Sequence, residues 1–271
     1  MASFSAARTN LSSQSVDISD IKLGEGSFRV AYRGTYRGGS RNQQAAACKK
    51  FKPQFRSLED EYFRNDFRIA DKAIAIAGDW NRVCPLGKEI LVTRGDVKRT
   101  MSGEKYLIEP EIRYYTKFTS NSGWIAPGEG DDGLAMEAFC HYTYHRSGGS
   151  LIVCDLQGRY KKNMYSKKMM KSRFELTDPA ICSRARAYGP TDLGEKGIES
   201  FFANHCCNKF CNRESRWQRP RAPTAWFESS SSTSMFSSSM TPQLTLRSSA
   251  RFTLNHEAIL ECDEEESDDD Y

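Results

Sequence analysis

No stretch of this sequence reaches the roughly 18 consecutive apolar residues that a membrane-crossing helix needs. The opening, MASFSAARTNLSSQS, has no apolar core and no convincing cleavage site, so no secretory leader is expected. Histidine is scarce, with 4 in 271 residues, which limits imidazole chemistry to a few positions. Cysteine is not scarce, but 9 is an odd number and the spacing lacks the density of a secreted disulfide scaffold. A reduced, cytoplasmic setting is therefore expected. Basic residues are missing from 257–271, where nine residues are acidic; all 39 Lys and Arg precede that stretch, against the other 26 of 35 acidic groups. A basic body with an acidic end suits phosphate or acidic partners, and it equally suits a solvated charge run.

Apolar residues make up 38% of the chain, enough for one or two domains with a polar extension. Residues 1–19 are Ser/Asn-rich and expected to be flexible. From Asp20 the pattern becomes β-like. Val30–Tyr36 alternates, Gly38-Gly39 turns, and Gln44–Lys49 returns, as in a hairpin. Between Leu58 and Asn81, Phe63, Phe67, Ala70, Ile74 and Ala77 recur at helical spacing. Ile90–Val92 and Tyr106–Ile108 read as strands, Gly128–Gly133 as a loop, and Leu151–Cys154 as a short buried strand. His145 is expected to follow a strand. Residues 159–173 form a basic insert, and a terminal helical region is expected to end near Trp217. Residues 220–271 include ESSSSTSMFSSSM, which cannot bury enough apolar surface to offset chain entropy, and are expected to be disordered.

Three groups of residues could carry chemistry. His205-x-Cys207-x-x-x-Cys211 has the ligand types and spacing of a zinc site. A helix starting near Cys207 would put both sulfurs on one face, while a bend near Asn204 would bring His205 alongside. Structural zinc takes four ligands, and His141, flanked by aromatics, is the best fourth; Cys206 could replace Cys207 only by breaking the four-residue spacing. The second group is Asp155 and Gln157, at the end of the apolar strand and read as sharing a face, with Asp178 before a proline. An acid and an amide there could orient a hydroxyl and hold a divalent cation through oxygen. The third is Gly24-x-Gly26-x-x-Arg29, a candidate phosphate loop, with Lys49 on the next strand as a candidate phosphate ligand. The order of Gly loop, strand lysine, helix, Glu-Pro linker and late Asp resembles a protein kinase, yet His-Arg-Asp, Asp-Phe-Gly and Ala-Pro-Glu are all absent.

Three stretches, AFCHYTYHRSGGSLIVCDLQG, LTDPAI and GPTDLGEKGIESFFANHCCNKFC, resemble the alpha-kinases, a family of atypical Ser/Thr protein kinases. The resemblance covers roughly residues 20–212. It implies an α+β, two-lobed kinase-like fold over 20–219, with an N-lobe at about 20–108, a C-lobe at about 112–219 and a structural zinc in the C-lobe. It further implies ATP and Mg²⁺ as cofactors and a protein Ser/Thr as acceptor. Lys49 and Arg29 would meet the phosphates, Glu109 in the hinge the adenine. Asp155 would be the catalytic aspartate, with Gln157 and Asp178 as magnesium ligands. His141, His205, Cys207 and Cys211 would hold the zinc. Gly189, Thr191 and Gly194 would form a loop for the peptide substrate. Departures are Thr191 at a position usually smaller, a hinge lacking the usual Gly, and the long basic insert between Asp155 and Asp178. They leave a nucleotide-binding pseudokinase scaffold as the alternative. A nucleic-acid-binding zinc module is not expected, because the zinc spacing is not that of a finger.

Overall fold

The computed structural model describes residues 7–8, 15–83, 88–162, 172–211 and 216–228. All belong to one compact unit; a second unit, Ser237–Tyr271, lies outside the described residues.

In chain order the elements are β1 (Ala7–Arg8), β2 (Ser15–Glu25), β3 (Arg29–Arg37), β4 (Ala45–Phe51), α1 (Glu59–Val83), β5 (Glu89–Thr93), β6 (Asp96–Arg99), β7 (Lys105–Pro110), β8 (Thr116–Lys117), α2 (Gly130–Arg146), β9 (Leu151–Cys154), β10 (Gln157–Lys161), β11 (Arg173–Thr177), β12 (Ala180–Ser183) and α3 (Glu195–Asn204). Three sheets result. One is antiparallel in the order β2-β3-β4-β7-β6, one is mixed in the order β1-β5-β11-β10-β8, and β12 pairs with β9 alone.

The antiparallel sheet has two distinct faces because opposed residues share a side. Tyr36, Cys48 and Ile108 build a small core on one. On the other, Arg29 opposes Phe51, Ala31 opposes Lys49, and Arg33 opposes Ala47, which opposes Glu109. That second face therefore carries the cleft charges next to an apolar cluster of Phe51, Phe63 and Leu107.

Helix α1 starts with Glu59, Asp60 and Glu61, acids that complement the positive end of the helix dipole. Its buried face, including Ile69, Ala73, Ile76 and Trp80, enters the main core. Asn81 fastens its far end by accepting from the Ile90 N–H and donating to the Ile90 carbonyl, both at 2.8 Å. Helix α2 is buried on nearly every side, from Ala135 through Tyr144, and so lacks the alternation of wet and dry faces that announces a helix.

Several expectations need correction. Gly130–Gly133, read as loop, form the first turn of α2, and His145 lies in the last turn of that helix rather than past a strand. Strand β2 starts at Ser15, inside the segment expected to be flexible. β5, assigned by position to the N-lobe, instead pairs with β11 in the mixed sheet. After Asn204 no helix appears among the described residues, so none begins at Cys207 and none ends near Trp217. Residues 220–228 are not loose: Trp226 is bonded to α3 and Phe227 packs on the core. The rest of the expected tail, and residues 163–171 of the basic insert, lie outside the described residues. No described helix is long and apolar enough to cross a membrane.

Candidate active site and His/Cys cluster

The sheet register aims Lys49 into the cleft, where it is almost fully buried. Its ammonium is 2.5 Å from Glu109 Oε2 and pairs with Asp178 as well. Burial alone would depress the lysine pKa, but the Asp178 and Glu109 carboxylates outweigh it and push it up. Burial raises Glu109, with Lys49 opposing, whereas Lys49 overcomes burial at Asp178 and lowers it. The lysine thus stays charged, and Asp178 is its ionised partner. Glu109 also accepts from Thr177 Oγ1 at 2.9 Å. Its side chain is therefore committed to the lysine, leaving the hinge backbone for any base contact.

Arg29, nearest the Gly loop, pairs with Asp66 of α1 and lies 4.2 Å over the Phe51 ring. Burial pushes Asp66 up to about 6 in spite of Arg29. Asp66 carries no motif and sequence reading missed it.

Asp155 follows β9 directly. It is buried and left-handed, with φ of 55°. Asp178 has φ of 47°. Non-glycine residues seldom adopt this region; aspartate tolerates it better than most, and such residues gather at functional sites. The Asp155 turn is pinned by its neighbour. Leu156 donates its N–H to Thr119 Oγ1 at 3.1 Å, and its carbonyl accepts from Phe118 N–H at 2.8 Å. Asp155 and Gln157 are thus not alternate residues of one strand, as the sequence suggested; a turn separates β9 from Gln157, which opens β10. Lys117 Nζ lies 2.7 Å from Asp155 Oδ1. This lysine was also missed, since only the pairing of β8 with β10 brings it there.

Gln157 opposes Thr177, and its amide Nε2 lies 3.5 Å from the Asp178 carbonyl oxygen. The β10–β11 register runs unbroken from Gln157 opposite Thr177 to Lys161 opposite Arg173. Asp178 consequently stays beside Lys49.

The stretch expected to bind peptide precedes α3. Gly189 has φ of 83°, and a Cβ there would lie 2.5 Å from the Asn65 side chain of α1, so glycine lets the loop approach that helix. Gly194 has φ of 70° and precedes the first turn of α3. Thr191 presents its carbonyl to Asn121 Nδ2 at 2.9 Å. Asp192, unforeseen and buried, shapes the loop from within. It accepts from the N–H groups of Ser183, Tyr188 and Gly194 and from Ser183 Oγ, at 2.6–3.2 Å.

His141 from α2 meets His205, Cys207 and Cys211 from beyond α3. Their four ligand atoms all lie within 4.8 Å of one another. The chain bends after Asn204 as expected, but an irregular turn rather than a helix brings the two sulfurs together. Each imidazole is held from behind. His205 Nδ1 is 3.0 Å from Glu137 Oε2, and His141 Nε2 is 3.2 Å from the Gln218 carbonyl. These acceptors assign the N–H to the outer nitrogens and leave lone pairs on His205 Nε2 and His141 Nδ1, 3.3 Å apart and facing the sulfurs. Cys206 is absent from this group.

The sequence profile of the Alpha-kinase family matches residues 24–211. The chain belongs to the alpha-kinase family. It is 27% identical over 216 residues to alpha-protein kinase vwkA of Dictyostelium discoideum, covering 73% of this chain and 31% of that protein. It is 36% identical over 100 residues to human eukaryotic elongation factor 2 kinase, covering 36% of this chain and 11% of the relative. The chain thus spans about a third or less of these curated relatives. Among solved structures, an alpha kinase from Entamoeba histolytica aligns with a TM-score of 0.61 at 22% identity, over 77% of this chain and 81% of that one. The alpha-kinase domain of myosin-II heavy chain kinase A, in complex with AMP-PNP, aligns with a TM-score of 0.61 at 20% identity, over 76% and 89%. The alpha-kinase fold, with mixed helices and sheets, follows.

Proposed function

We propose that this chain is an active protein kinase that transfers the γ-phosphoryl group of ATP to a protein Ser or Thr. The observation carrying this reading is the meeting of Lys49 and Asp178 in one ion pair, with Asp155 and Lys117 in a second. Lys49 and Arg29 supply cationic donors for the phosphates, once ATP takes the place of Asp178 at Lys49 and of Asp66 at Arg29. Asp155 accepts the hydrogen bond of the acceptor hydroxyl. As the oxygen bonds to the γ-phosphorus and the bridge to the β-phosphate breaks, the hydroxyl proton passes to the Asp155 carboxylate and the charge stays on ADP. Lys117, paired with Asp155 Oδ1, holds the carboxylate in position. Glu109, paired to Lys49, fixes the lysine's position, and the hinge backbone takes the adenine edge.

The Gln157 amide and Asp178 carboxylate offer oxygen donors of the kind Mg²⁺ prefers, and would hold it; the ion supplies neutralisation of phosphate charge. The His141, His205, Cys207 and Cys211 set fits Zn²⁺, since both imidazoles present lone pairs inward and four protein donors complete a tetrahedral shell. Such a site is structural, with no open position for chemistry. The loop of Gly189, Thr191 and Gly194 borders α1 and serves the peptide substrate. The Ser/Thr residues of the C-terminal stretch are candidate acceptors in cis.

Transfer of label from γ-labelled ATP to a basic test protein and to the chain itself tests the reading, with Asp155→Asn alongside. Incorporation lost in the variant establishes the kinase. A folded wild type that binds ATP yet transfers nothing would leave a nucleotide-binding scaffold.

A further inference from the structure

Residues 216–228 lie beyond the segment matched by the family, 24–211. Their sequence, RWQRPRAPTAWFE, contains two prolines and makes no helix or strand. Order in such a segment must come from bonds to other elements. Trp217 supplies the first anchor, its ring 6.1 Å from Trp80 of α1, 5.5 Å from Tyr142 and 5.4 Å from the His141 imidazole. Gln218 follows, accepting from His141 Nε2 through its carbonyl and donating its N–H to His145 Nδ1 at 3.3 Å.

Arg219 comes next and is a fork. One arm donates to the carbonyls of Phe202 and His205, at 3.3 and 3.0 Å, which are among the acceptors left open where α3 ends. The other arm reaches 3.5 Å from Cys207 Sγ. Farther along, the Trp226 N–H bonds Ser200 Oγ at 2.9 Å, and Lys196 lies 4.4 Å over the Trp226 ring. The segment therefore straps α3 from its last residues back to its first turn.

Three consecutive residues thus act on the His/Cys cluster from outside. We propose that the strap is the outer shell of the zinc centre: the Gln218 carbonyl orients His141, Arg219 steadies the Cys207 sulfur, and Trp217 locks both in register. It is a positioning element of the catalytic lobe and not the start of a free tail. This inference rests on reading the cluster as a zinc site.

The test uses the full-length chain and Zn²⁺ alone. Zinc content of the wild type is measured first, then affinity and release rate against a chromophoric chelator. Arg219→Ala and Trp217→Ala are expected to weaken zinc binding about 10- to 100-fold, the usual effect of losing an outer-shell partner. Arg219→Lys keeps the charge without the fork and is expected to fall between. It also decides the matter if the alanine variants do not fold. Wild-type affinity and release in the folded Arg219 variants would overturn the strap proposal. A wild type that takes up no zinc would instead overturn the zinc reading itself.

Discussion

In the cleft, Lys49 divides its charge between two carboxylates, Arg29 is held by Asp66, and Asp155 is held by Lys117. In the His/Cys cluster, each imidazole has its outer nitrogen bonded and its inner one aimed at the same point. The first region is a set of charges neutralised by partners that a ligand can replace. The second is a set of nitrogen and sulfur donors whose remaining valence converges. Residues in the first are also conformationally tense, with Asp155 and Asp178 both left-handed. One region is built for exchange and the other for permanence. Substitutions should accordingly strike activity in one and folding in the other.

The sharpest test of that contrast is Cys211→Ala. Loss of one ligand is expected to cost about 4 kcal/mol or more, lowering the melting temperature by about 10 °C. Chelator treatment of the wild type should reproduce the shift in differential scanning calorimetry, and an unchanged melt would erase the distinction. Asp155→Asn is the counterpart. Asparagine tolerates the left-handed backbone, so the melt should move by no more than about 2 °C while transfer falls about 10²- to 10⁴-fold.

Asp192→Ala probes the boundary between the regions, because this buried carboxylate organises the loop between β12 and α3 and its partners are all in or beside that loop. Leaving its donors unsatisfied should cost about 2–4 kcal/mol in urea unfolding. The smallest effect concerns Asp66. Burial holds its folded pKa near 6, above the ordinary aspartate value. The folded protein therefore binds a proton that the unfolded chain has lost, and this favours folding at low pH. That contribution disappears as pH rises through about 6. Relative to Asp66→Asn, the wild type should lose about 2 kcal/mol of stability between pH 4.5 and 7. A flat difference between the two proteins would place Asp66 among the permanently paired groups.

Much of this was legible before any coordinates. The hairpin of β3 and β4, helix α1 and strand β9 announce themselves through periodicity, and Gly189, Asp155, Asp178 and the His/Cys residues through motifs. Lys117, Asp66, Glu137 and Asp192 did not, because each acts through a partner brought close by folding, with no local pattern around it. Helix α2 was obscured by its burial, which erases amphipathic spacing. The error at Cys207–Cys211 came from a spacing that suits a helix face but is met equally by an irregular turn. Residues 220–228 were hidden by composition, since Pro- and Arg-rich segments usually stay solvated.

His141 and Cys211 bracket β9, Asp155, Gln157, Asp178 and the loop of Gly189. An ion joining them would close a ring of roughly seventy residues, much as a disulfide of that span removes about 4 kcal/mol of freedom from the unfolded chain. Unlike a disulfide, such a clasp opens by ligand exchange and needs no oxidant. The supply of a trace metal would then set how many copies of the chain keep their transfer residues in register, making metal availability a limit on competent enzyme without any contact between metal and substrate.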